Sequence, residues 1–268
     1  MFTPSPQNDR PAAVQLIVSQ QRMRPAIGTL CAIEASGPAQ SVCHGIDAAF
    51  AAISYVEKYM HPTRSGSDLT RLNNSRGARV EISAATWDVL ATAHHLYRLS
   101  EGVFDPCLPS HPGCLHDLEL LPDSSAICHA PLALDLGGIA KGYAIDQAIH
   151  ALQQAGCNKG MVNAGGDLRI FGESSQEILI RTQQPGVTRI TLKNAALAVS
   201  EMFPTNRPLE HQGYYQKKAD KIHAREQVAV VAEQAMIADA LTKCAMFCTD
   251  AILANMLAVL NAKCVTLA

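Results

Sequence analysis

Asp135, Gly137, Gly138 and Lys141 stand close together in Leu134–Ala148, LDLGGIAKGYAIDQA, and their types suit the binding of a phosphorylated ligand. Glycines let backbone approach a ligand closely. The first turn of a helix offers unpaired N–H groups at the positive end of its dipole. Lys141 adds a mobile cation inside that first turn, and Asp135 puts a carboxylate just before it, where it can meet a metal or a polar ligand group. The combination suits a pyrophosphate, with or without a divalent cation. The same residues also describe a tight strand-to-helix turn with a surface lysine, and the stretch alone does not choose between the two. Further on, Asn163–Gly172 (NAGGDLRIFG) makes a second glycine turn and Ala235–Thr242 (AMIADALT) opens a late helix. Cys107, His111, Cys114 and His116 have the residue types of a zinc site. Their spacing fits no usual ligand pairing, so they read as a loop rich in these residues.

The elements that must position these groups follow from periodicity. Leu132–Leu136 reads as a short strand ending at Gly137, and a helix follows at once, with Ile139, Tyr143, Ile145, Ala148, Ile149 and Leu152 on one face and Gly156 as its stop. Upstream, Gly28–Glu34 alternates weakly as a first strand, and Ile46–Met60 is an amphipathic helix. Ser67 can begin a short helical turn. Ser83–Ser100 is a further helix with Ser83 as N-cap and Gly102 as stop. Gly160–Asn163, Asp167–Phe171, Glu177–Arg181, Thr188–Leu192 and Leu197–Ser200 read as sequential strands, an antiparallel meander. Residues 201–226 are polar and poorly patterned. Glu226–Ala232 is a strand, Met236–Phe247 and Asp250–Ala262 are helices, and Val265–Leu267 closes the sheet. The pattern is α+β.

Composition narrows the function. Hydrophobic residues make up 48% of the 268 and charged residues 17%, which is ample apolar material for a core. The net charge of −2, without a basic cluster, argues against nucleic acid or an anionic membrane as the main partner. The N-terminal stretch has no basic n-region, and its apolar run is broken by Gln15, so no export signal is expected. It also lacks a cysteine for a lipid anchor. The expectation is a cytoplasmic protein with no membrane span, a disordered extension over 1–22 and a single domain over 23–268. Its nine cysteines are then mostly reduced and buried.

In order and spacing, DLGGIAKGYAID, VNAGGDLRIFG and MIADALT resemble the FAD:protein FMN transferase (ApbE) family. Ser67–Asn73 (SDLTRLN) and Gly102–Pro106 (GVFDP) resemble two further segments of it. The resemblance implies a T-fold-like architecture, helices packed on an antiparallel sheet. It implies Mg²⁺-dependent transfer of FMN from FAD to a threonine or serine of an acceptor protein, with release of AMP. The alternatives are a relative that binds FAD without transfer, and one that hydrolyses it to FMN and AMP. By resemblance the flavin nucleotide would meet Asn73, Val103, Phe104, Asp105, Asp135, Gly137, Gly138, Lys141, Asn163 and Asp167. Asp239 and Lys141 would serve catalysis, and Gly138, Asp239 and Thr242 would hold the metal.

The chain also departs from the family pattern. Ala26 and Thr63 stand where relatives carry a flavin-contacting methionine and an aromatic residue. Lys243 stands where relatives place the threonine or serine that completes the metal site, with Thr242 one residue earlier. Thr242 would take over at a shifted angle, or Lys243 would set an ammonium where the ligand should be, or Lys243 is a surface residue. The histidine segment proposed as general base in relatives is not found. His211 and His223 lie in that region without its context.

Overall fold

The computed structural model describes residues 16–182, 186–201, 225, 227–265 and 267. Its centre is a 7-stranded sheet in the order β1-β2-β6-β7-β10-β11-β12, antiparallel at every pairing. The strands are β1 (Ile17–Ala26), β2 (Thr29–Pro38), β6 (Lys159–Ala164), β7 (Asp167–Phe171), β10 (Ala196–Glu201), β11 (Gln227–Ala232) and β12 (Lys263–Val265). β1 and β2 form a hairpin whose turn residues, Ile27 and Gly28, have φ of 49° and 75°. Two left-handed residues match the twist of the flanking strands, and a β-branched residue there is strained.

One face of the sheet carries three helices: α1 (Ala39–Met60), α4 (Ala140–Gln154) and α5 (Ala235–Phe247). Alternate strand residues meet them in the main core, among them Ile33 and Ala35, Val162 and Ala164, Ala196 and Ala198, Val228 and Val230. The residues between point to the other face. There a smaller core joins Leu168, Ile170, Leu197 and Ala229 to Ile180 and Leu192. Those last two come from β8 (Gln176–Arg181) and β9 (Val187–Leu192), which among the described residues pair only with each other. The expected meander is therefore split. β8 and β9 leave the sheet as a hairpin that covers its second face, and β10 returns to pair with β7.

A 3-stranded sheet of β3 (Val80–Glu81), β5 (Ser125–Cys128) and β4 (Leu118–Leu121) lies with α2 (Asp68–Asn73) and α3 (Ala84–Leu99). Both helices are capped as expected: the Ser67 and Ser83 hydroxyls accept the N–H groups of Thr70 (3.0 Å) and Thr86 (3.1 Å). α6 (Asp250–Val259) follows α5.

Three further expectations change. Residues 17–22, expected to be a disordered extension, are the first six residues of β1. Helix α1 starts at Ala39 rather than Ile46. Leu132–Leu136 is not a strand: its alternation is real, with Leu132, Leu134 and Leu136 buried, but only Leu134 makes a single bridge, to Cys107. The segment is held instead by Asn73 and by the Asp135 N–H donating to the Pro106 carbonyl (2.9 Å).

Candidate active site

The site begins where the first turns of α4 and α5 touch. A Cβ on Gly142 would lie 2.2 Å from the Ala235 carbonyl oxygen and 2.6 Å from the Met236 Cα, so a side chain there would drive the helices apart. One turn along α4, Asp146 accepts the N–H groups of Ala235 and Met236, both at 2.9 Å, and so caps α5 across the helix pair. Arg169 of β7 donates to the same carboxylate at 2.7 Å. Burial pushes the Asp146 pKa up, opposed by Arg169 and by the two amides.

This docking sets Asp239 of α5 against the start of α4. Asp239 is fully buried, and its Oδ2 accepts the Gly142 N–H at 3.1 Å. Its Oδ1 pairs with the Lys243 ammonium, one turn on along the same helix. The Thr242 hydroxyl is also buried. It donates to the Asp239 carbonyl at 2.7 Å and lies 2.7 Å from the Ser200 hydroxyl of β10.

Beside this pair lies a second one. Lys141 Nζ is 2.7 Å from Oδ2 of Asp167, whose Oδ1 accepts the Val199 N–H at 3.0 Å. Burial works against the Lys141 charge, but Asp167 and Asp239 outweigh it and hold its pKa above the ordinary lysine value. Burial and the Asp239 carboxylate push Asp167 upward, against the pull of Lys141 and Lys243. Both shifts are upward, which favours the charged lysine but disfavours the charged carboxylate, because burial first and the Asp239 carboxylate second work against the charge on Asp167. Two ammonium groups thus converge on two buried carboxylates at one end of α4.

A cavity of about 410 Å³ opens at this end, lined by Asp135, Gly137 and Lys141 and walled by Ile27, Val56 and Met60. Glu57 and His61, at the end of α1, also line it, and nothing in their sequence context singled them out. The Asp135 carboxylate accepts the Gly137 N–H at 2.8 Å, which shapes the turn.

Other expected residues are placed elsewhere. Asn73 spends its amide on Leu134, donating to the carbonyl (3.1 Å) and accepting the N–H (2.7 Å), so it fixes the segment that leads to Asp135. Phe104 is buried in the core beside half-buried Val103. Asp105 is buried and accepts the N–H groups of Cys107 (3.0 Å) and Leu115 (3.2 Å) as a clasp on the following loop. None of the four lines the cavity. Asn163 accepts the Gly166 N–H at 3.0 Å and lines a different cavity, of about 440 Å³, beneath the β8–β9 hairpin. Among the described residues, no group of three or more His, Cys, Asp or Glu is placed to hold a metal, and that covers Cys107, His111, Cys114 and His116. His211 and His223 lie outside the described residues.

The expected Mg²⁺ ligands can be tested against this geometry. Asp239 is engaged by the Lys243 ammonium and the Gly142 amide, and the Thr242 hydroxyl by the Asp239 carbonyl and Ser200. Gly138 is buried in the turn before α4. Magnesium needs open hard oxygen ligands, and here it would meet a resident positive charge on the one carboxylate of the set. The donor set as it stands does not fit the ion.

The model of the ApbE family matches residues 27–111 and 110–265. The chain belongs to the ApbE family. An FAD:protein FMN transferase of Treponema pallidum is 24% identical over 180 residues, 54% of this chain. The chain spans about half the length (50%) of that curated relative. The flavinyl transferase ApbE of Pseudomonas stutzeri superposes with a TM-score of 0.78 at 21% identity, covering 94% of this chain and 92% of that one. The flavin transferase ApbE of Vibrio cholerae does so at 0.78 and 19%, covering 93% of each. The ApbE protein of Thermotoga maritima gives 0.73 at 24%, covering 85% and 86%. The ApbE fold, an antiparallel sheet with packed helices, is thus shared, and no helix among the described residues is long and apolar enough to cross a membrane.

Proposed function

We propose that this protein transfers the FMN part of FAD to a threonine or serine hydroxyl of an acceptor protein and releases AMP. The observation that carries this reading is Lys141, a cation at the start of α4 that lines the same cavity as Asp135 and Gly137. Ammonium, glycine backbone and a helix start suit a pyrophosphate. The apolar wall of Ile27, Val56 and Met60 suits a flat ring system. Family membership and the flavin transferases named among its relatives support the same reading.

In this reaction the acceptor hydroxyl oxygen attacks the flavin-side phosphorus. The new P–O ester bond forms, the bond to the bridging oxygen breaks, AMP leaves with that oxygen, and the hydroxyl proton passes to solvent water. Lys141 would bear on the phosphates as negative charge builds on the leaving group. Asp135 would meet polar groups on the flavin side. Magnesium, which the family resemblance implies, would have to displace the Lys243 ammonium before taking Asp239.

That same contact favours the second reading, a relative that binds FAD without transfer or hydrolyses it to FMN and AMP. Flavin fluorescence titration tests the site common to both. FAD should bind more tightly than FMN, and FMN more tightly than riboflavin. Lys141→Ala should weaken FAD by about 1–3 kcal/mol, the range for a charge-assisted contact. Equal affinity for FAD and riboflavin would refute the pyrophosphate assignment.

A further inference from the structure

We infer that the Lys243 ammonium is the built-in cation of this site, so that FAD binds without a divalent metal and added metal competes with Lys243 for Asp239. This rests on FAD being the ligand, as proposed above. Asp239 is buried between α4 and α5, where a carboxylate is retained only with donors or a counter-charge. Here it has both, the Gly142 N–H and Lys243. Acid four residues before lysine on one helix face is the favourable order for such a pair.

Lys243 is not a solvated surface lysine. Its side chain is only 12% exposed, and it gives up hydration and rotamer freedom to reach Asp239. Thr242 does not compete for the role, since its hydroxyl turns to the helix backbone and Ser200. One turn after Asp239, α5 therefore presents an ammonium and not a hydroxyl. Lys141, on Asp167 beside it, brings a second ammonium from α4. An ammonium carries three N–H donors. Asp239 takes one from Lys243 and leaves two for a phosphate oxygen that enters past Lys141, which of the four charged groups is the one that lines the cavity. A divalent ion on Asp239 would sit against a fixed positive charge in a water-poor site, where that repulsion is felt strongly.

The test uses the whole chain and two probes. Mn²⁺ binding to the FAD-free protein is read by electron paramagnetic resonance, and FAD affinity is measured in EDTA and in excess Mg²⁺. The wild type should take up no stoichiometric Mn²⁺ at Asp239, and its FAD affinity should differ less than twofold between the two buffers. Lys243→Thr should gain a Mn²⁺ site that Asp239→Asn removes. Its FAD affinity should fall at least tenfold in EDTA and recover with Mg²⁺, a rescue that a merely structural lysine would not show. Should Lys243→Thr fail to fold, the wild-type measurements still decide. Stoichiometric Mn²⁺ on the wild type that is lost in Asp239→Asn, or FAD binding that rises tenfold with Mg²⁺, overturns the role of Lys243 alone. No FAD binding in either buffer defeats the flavin reading, and this role with it.

Discussion

Gly142→Ala tests the helix contact on which the whole site stands. The new methyl would lie 2.2 Å from the Ala235 carbonyl oxygen, 2.5 Å from its carbon and 2.6 Å from the Met236 Cα. All three are backbone atoms, so no rotamer change relieves the clash. Carbon atoms rest about 3.5–4.0 Å apart, so α4 and α5 must part by roughly 1 Å. Such overpacking costs about 1–3 kcal/mol. The same movement stretches the 3.1 Å bond from Gly142 N–H to Asp239, and a hydrogen bond to a charged group is worth about 1.5–3 kcal/mol. Alanine returns about 1 kcal/mol in helix propensity. The net expectation is a loss of about 1.5–5 kcal/mol, read as a lower urea midpoint at unchanged slope. FAD affinity should fall with it, because Asp239 and Lys243 move away from Lys141. A variant within about 0.5 kcal/mol of wild type, the range of an inert surface change, would show that α4 and α5 do not meet as described.

Three further outcomes follow from the same contacts. The folded pKa of Lys141 lies above its ordinary value of 10.5. Its contribution is therefore fully present below that value and lost as pH rises through the folded one. The stability difference between wild type and Lys141→Met should be flat from about pH 8 to 10 and shrink above about 10.5, as followed by urea unfolding across pH. Asp146→Ala removes the α5 cap and the partner of Arg169, so it should cost about 2–4 kcal/mol in thermal or urea unfolding. Asn73→Ala frees both backbone groups of Leu134. It should lower stability by about 1–3 kcal/mol and also weaken FAD binding in a fluorescence titration, since Leu134 leads directly into Asp135.

Local signals in the sequence transferred well where they are local in physics. The Ser67 and Ser83 caps, the α4 start after Gly137-Gly138 and the pairing strands β6 and β7 all depend on neighbours in the chain. The strand expected at Leu132–Leu136 shows the limit of periodicity. Alternation reports which side chains are buried, and here they are buried in an irregular segment held by Asn73. β1 carries no such signal, for the opposite reason. Most of IVSQQRMRPA is exposed on a sheet edge, so no apolar alternation marks it. The roles of Gly142, Asp146 and Arg169 were not legible although all three lie in the quoted motifs, because each acts on a distant helix. Asp146 looks like any acid on a helix until Ala235 is seen beside it. Lys243 was legible as a departure, but its partner was not: only the structure shows it turned onto Asp239.

The most direct test of the account is incubation with FAD and a panel of candidate acceptor domains, followed by intact-mass measurement of each acceptor and chromatography of the nucleotides. One acceptor should gain FMN at a threonine or serine, with one AMP released per modification and with no loss of yield in EDTA. Release of AMP with only free FMN, or no change in FAD at all, would contradict transfer.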